Sequence, residues 1–66
     1  MSDQDDAIHQ EAIKLIRESG LDKITKIDLY ELYLEECEDT SVATAMDRLV
    51  SDVKDAQEKQ NKQGGN

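Results

Sequence analysis

The chain contains no proline and three glycines, two of which, Gly64 and Gly65, stand at its C-terminal end. Gly20 is therefore the one internal residue whose backbone freedom marks a break. Cysteine is nearly absent too. Cys37 stands alone, which excludes an intrachain disulfide. With His9 as the single histidine, there is no His/Cys set to close a zinc site. No apolar run approaches the ~20 residues that span a bilayer, and neither amphipathic stretch carries the basic polar face of a membrane-surface helix. The first ten residues, MSDQDDAIHQ, have neither a basic n-region nor an apolar h-region, so the expectation is no signal peptide and a cytoplasmic protein. Basic residues are scarce: 8 against 16 acidic ones in 66 residues, a net charge of −8. Such a chain repels phosphate backbones in its average field and is drawn to basic surfaces, although the same charge also serves solubility alone.

What is present is helical patterning. Ile8, Ala12, Leu15 and Ile16 share one face of a helix expected over residues 5–19. Asp3, Asp5 and Asp6 sit where negative charge favours its start, and Gly20 ends it, with Leu21 folding back on Ile16. A second helix is expected over residues 26–38. Thr25 reads as its N-cap with Asp28 three residues on, and Ile24 and Leu29 read as a hydrophobic staple. Leu29, Tyr33 and Cys37 form its main stripe, with Tyr30 and Leu34 beside it and Leu32 on the other flank. That is more apolar circumference than a small surface helix needs. After a turn at EDTS, in which Asp39, Thr40 and Ser41 all suit a cap, a third helix is expected over residues 41–56. It carries the most regular stripe: Val42, Met46, Leu49, Val50 and Val53. The polar remainder, residues 57–66, reads as a disordered tail. The expectation is thus an all-α, three-helix bundle over residues 1–56. A core this small supplies ~3–5 kcal/mol at most, so support from oligomerisation or a partner is expected.

No catalytic constellation is visible. His9 reads as a solvated surface residue with nothing tying it to Ser19, Ser41 or Cys37, and Cys37 reads as a small core residue. The acidic clusters Asp3-Asp5-Asp6 and Glu35-Glu36-Glu38-Asp39 lack calcium-loop spacing, and no Gly-rich phosphate loop exists. The expectation is a protein that is not an enzyme and uses no cofactor or metal.

The order helix, linker, helix, tight turn, helix is that of a helix-turn-helix core. The stretch TKIDLYELYLEECEDTSVATAMDRL also resembles the N-terminal, DNA-binding half of the ferric uptake regulator family. Thr25, Asp28, Leu29 and Tyr30 match its S/T-x-x-D/E-L-Y pattern. Ser41, Val42, Ala43, Thr44 and Leu49 match its S-L-A-T-V-Y-R-x-L pattern at the right spacing, and the resemblance covers roughly residues 12–53. The family's Tyr and Arg on the recognition helix correspond here to Met46 and Asp47. An acidic residue there puts repulsion where phosphate or guanine contacts form. The chain continues into a polar tail, so neither the family's wing nor its metal-binding domain is implied. The resemblance thus implies a helix-turn-helix-like scaffold with its DNA-reading positions altered.

The leading expectation is a small acidic regulatory protein that acts by protein–protein interaction, as an antitoxin, a phage- or plasmid-type inhibitor or a transcription adaptor. Its partner would present a basic surface, and the protein itself is expected to be a homo-oligomer. Tyr30, Leu32, Leu34, Asp47, Arg48 and Asp52 are the candidate partner-binding residues. A homodimeric DNA-binding regulator and a structural subunit of a larger assembly are the alternatives.

Overall fold

A computed structural model describes residues 3–64, with side chains for residues 4–61. Three helices form a bundle: α1 (Asp3–Arg17), α2 (Lys23–Asp39) and α3 (Val42–Gly64). No strand occurs among the described residues. The buried core draws on all three helices and the first turn: Ala12 and Ile16 from α1, Leu21 from the turn, Leu29 and Tyr33 from α2, and Ala45, Leu49 and Val53 from α3. Leu15, Cys37, Met46 and Ala56 pack around it, half-buried. Ala12 and Ala45 are almost wholly enclosed, and these small side chains let neighbouring helices approach closely.

The first turn forms as the glycine predicts. Gly20 has φ +75°, the left-handed conformation that ends helices at little cost to glycine. The Ser19 hydroxyl donates to the Ile16 carbonyl at 2.6 Å, and the Leu21 amide donates to Ser19 Oγ at 3.4 Å. Leu21 is buried in the same cluster as Ile16. α1 itself ends at Arg17, before the expected Ser19.

The start of α2 differs from the expectation. The helix begins at Lys23, with Asp22 as N-cap making no side-chain capping bond. The Lys26 amide donates to the Asp22 carbonyl at 2.9 Å, which closes the first turn before Thr25 could cap it. The Thr25–Asp28 capping pair and the Ile24–Leu29 staple therefore do not form, and Ile24 is 75% exposed. The reason is tertiary: Leu21 enters the core directly after Gly20, so the chain is already aimed along α2 by Asp22.

α3 starts at Val42, capped by Ser41, whose Oγ accepts from the Thr44 amide at 3.2 Å. Thr40 closes α2 from the other side, its hydroxyl donating to the Glu36 carbonyl at 2.7 Å. Two features of α3 depart from the sequence reading. Val50, placed in the apolar stripe, is 38% exposed, and the core side is taken by Ala45 instead. The helix also does not stop at Ala56 but runs to Gly64, about 34 Å in all. The segment read as a tail begins with helix formers, and its first turn is docked. Gln57 Nε2 donates to the Ser19 carbonyl and Gln60 Nε2 to the Gly20 carbonyl, both at 2.9 Å. Residues 65 and 66 of the expected tail lie outside the described residues.

Candidate functional site

α2 packs against both α1 and α3 and buries one side, so its remaining circumference divides into two outer faces. Successive residues turn by ~100° around a helix, which sets Leu32 about 160° from Tyr30 and from Leu34. The structure therefore splits the candidate partner-binding residues. Tyr30 and Leu34 lie on the side of α1, Leu32 and Asp52 on the side of α3.

On the α3 side, Leu32 is 48% exposed and sits in a shallow depression with Asp28, Glu31 and Glu35. A second depression between α2 and α3 is lined by Leu32, Leu29 and Thr25 together with Asp22, Asp52, Asp55 and Lys59. The arrangement is an exposed leucine ringed by carboxylates with one lysine at the edge. Arg48 lies farther along α3, where its guanidinium pairs with the Glu36 carboxylate at 2.6 Å. The pair is solvent-facing and worth up to ~1 kcal/mol, but it commits the one arginine of α3 to tying α2 and α3 together. Asp47 is exposed on α3 and has no part in either depression.

On the α1 side, Ile13, Ile16, Ile27 and Tyr30 line an apolar cleft bordered by Arg17 and Lys26. Ile13, Ile27, Tyr30 and Leu34 are each well exposed, Ile27 to 50%. The sequence reading missed Ile13 and Ile27. The i, i+3, i+7 spacing of Ile27, Tyr30 and Leu34 could have found the second of these.

Between these faces a polar link is enclosed at the α1–α2 contact. Tyr33, 2% exposed, places its hydroxyl 3.0 Å from His9 Nδ1, and the two rings meet edge to face at 5.7 Å. His9 is half-buried, which corrects its reading as a solvated surface residue. A phenol needs a partner once it leaves water, and His9 is within reach across the helix pair. Burial pushes the Tyr33 phenol above its ordinary ionisation range, and the neighbouring Cys37, Tyr30 and Asp5 act in the same direction. A tyrosine held neutral and enclosed is a packing and hydrogen-bonding group, not an exposed acid or base.

Among the described residues no group of three or more His, Cys, Asp or Glu is placed to hold a metal ion, and no helix is long and apolar enough to cross a membrane. No known family model, curated protein or solved structure matches the chain.

Proposed function

We propose that this chain is a small acidic regulatory protein of the cytoplasm that works by binding a basic protein partner through its α2–α3 face. The observation that carries the reading is Leu32, an exposed apolar anchor inside a ring formed by Asp22, Asp28, Glu31, Glu35, Asp52 and Asp55. An apolar centre with a charged rim is the usual anatomy of a specific protein interface. The excess of carboxylates selects a partner of opposite sign and speeds encounter. An antitoxin, an inhibitor of a nucleic-acid-binding protein and a transcription adaptor all fit this chemistry.

DNA reading is disfavoured on the same residues. Asp47 is an exposed acid where the ferric uptake regulator pattern has its arginine, and Arg48 is held by Glu36. The test is a pair of measurements. Affinity capture from the native host with the wild-type chain should retain a basic protein, and Leu32→Gln and Asp52→Lys should each lose it at unchanged helicity. Fluorescence anisotropy with host genomic duplexes should show no sequence-selective binding at physiological salt. Tight, selective duplex binding would overturn the reading and establish the homodimeric DNA-binding regulator instead.

A further inference from the structure

The α1–α2 face is a different surface from the one assigned above, and its charges are arranged unlike those of the rest of the molecule. α1 and α2 run antiparallel: His9 meets Tyr33 at one level, while Ile13, Ile16 and Arg17 meet Lys26, Ile27 and Tyr30 at another. The C-terminal end of α1 and the N-terminal end of α2 therefore share one end of the face. That end carries Lys14, Arg17, Lys23 and Lys26, half of the 8 basic residues in the chain, with the Glu18 carboxylate beside Lys14 and Arg17. The middle carries the exposed apolar ridge of Ile13, Ile27, Tyr30 and Leu34. The far end, beyond the His9–Tyr33 level, carries the exposed carboxylates of Asp6 and Glu38. Along α2 alone the order is Lys23, Lys26, Ile27, Tyr30, Leu34, Glu38, with Lys26 and Glu38 about 18 Å apart.

We propose that this face docks a second copy of the chain, α2 against α2 in antiparallel sense, with Tyr30 and Leu34 at the centre and Lys26 of each copy facing Glu38 of the other. A surface that runs from positive through apolar to negative is complementary to itself under a two-fold axis, because rotation brings each end onto its opposite. Two-fold contacts of this self-matching kind are the commonest in homo-oligomers. The net charge of −8 argues against association through most of this molecule, and the α2–α3 face, ringed by carboxylates, would repel its own copy. The α1–α2 face is where the chain's cations gather beside exposed apolar side chains. Dimerisation there covers the ridge and leaves both acidic faces outward, free for a partner. A foreign amphipathic helix could also lie on the ridge, and the test separates it from a second copy.

The experiment is sedimentation equilibrium of the full chain with three samples: Lys26→Glu, Glu38→Lys, and their equimolar mixture. In a homodimer each single substitution turns both Lys26–Glu38 pairs into like-charge pairs, so each variant alone should dimerise about tenfold or more weakly than wild type. In the mixture one copy offers a carboxylate at both positions and the other an ammonium at both, so both cross-pairs are again opposite. Dimerisation should return to near the wild-type constant, as heterodimer. Leu34→Gln should abolish association with the far-ultraviolet helix signal intact. If Lys26→Glu loses that signal, Lys26→Gln takes its place: its mixture with Glu38→Lys keeps one opposite-charge cross-pair and should dimerise more tightly than either variant alone. A wild-type chain that stays monomeric to its solubility limit overturns the proposal and leaves the ridge to a foreign partner. Single variants that dimerise like wild type, or a mixture no tighter than its components, overturn the antiparallel arrangement. None of these substitutions touches Leu32 or Asp52, so failure here is separable from failure of the partner-binding reading.

Discussion

Replacing Gln57 and Gln60 together by alanine tests whether α3 is held to the first turn beyond Ala56. Both amides donate at 2.9 Å, one to the Ser19 carbonyl in a part-buried setting and one to the Gly20 carbonyl in an exposed one. A hydrogen bond of this kind contributes ~0.5–1.5 kcal/mol net, and the exposed one belongs at the low end. The pair together should therefore be worth ~1–2 kcal/mol. Helix propensity works in the opposite sense, since alanine is a somewhat better helix former than glutamine. The sign of the change thus decides the matter. A docked helix loses stability on substitution, whereas a solvated one is unchanged or gains. Glu58→Ala, on an exposed position of the same turn, gives the propensity effect alone. In a domain this small, with ~3–5 kcal/mol in total and an m-value of ~1 kcal/mol/M in urea, the urea midpoint followed by circular dichroism should fall by about 1–2 M. An unchanged or raised midpoint for the double variant, equal to that of Glu58→Ala, would refute the docking.

The remaining predictions concern the core and its boundaries. Leu49→Ala, at a position 2% exposed, should cost ~2–5 kcal/mol and leave much of the chain unfolded at 25 °C. Val50→Ala, one residue on and 38% exposed, should cost far less in the same urea titration; equal losses would mean that the buried side of α3 is misassigned. Leu21→Ala should destabilise by ~2 kcal/mol or more, while Ile24→Ser should stay within ~0.5 kcal/mol; a large loss at Ile24 in thermal melts would restore the hydrophobic staple. Tyr33 should make the protein sensitive to alkali. Its phenol ionises later in the folded chain than in the unfolded one, so the unfolded state gives up a proton near pH ~10 that the folded state still holds. The stability present below that pH is then lost as pH rises, at up to ~1.4 kcal/mol per pH unit, until the folded-state phenol ionises. Tyr33→Phe should be less stable at about pH 8, by ~0.5–1.5 kcal/mol for the lost hydrogen bond, yet decline less steeply between about pH 9.5 and 11; parallel declines in urea midpoint would show that Tyr33 is not the titrating group.

The parts of the fold legible in the sequence are those where apolar spacing and local backbone chemistry agree. Gly20 and Leu21 give the first turn because a left-handed residue followed by a buried one is a local pattern. Leu29 and Tyr33, and Leu49 and Val53, repeat at helical spacing and are buried together. Ala45 was hidden because a small side chain carries little weight in a hydrophobic pattern, although its size is what suits it to a close helix crossing. The length of α3 was hidden because Gln57 and Gln60 are polar and their acceptors are carbonyls 38 and 40 residues away. Thr25 and Asp28 carried a credible capping signal that a tertiary demand overrode: Leu21 had to be buried first. The His9–Tyr33 contact spans 24 residues, beyond any local rule. The candidate surface was half legible. Tyr30, Leu32 and Leu34 stood out as surplus apolar residues, but the ~100° turn per residue already divides them between two faces. Only the packing of α1 and α3 shows which residues join each.

The hydrogen bond between His9 and Tyr33 has a consequence for how many ways this chain can pack. Aliphatic seams between helices discriminate poorly against sliding by one turn, ~5.4 Å, because one branched side chain fills a neighbour's place well enough. A slip of α1 against α2 would carry the imidazole away from the phenol and leave the interior hydroxyl only the weakly accepting sulfur of Cys37, at ~1 kcal/mol or more. That is a large share of the whole stability of so small a domain. The pair therefore acts as an index pin: besides its own contribution to the native state, it penalises the shifted arrangements. Chains lacking it should fold to a bundle whose helices sample more than one alignment, visible as broadened or doubled amide signals for residues around Ala12 and Leu29 in a spectrum that otherwise keeps its helical content.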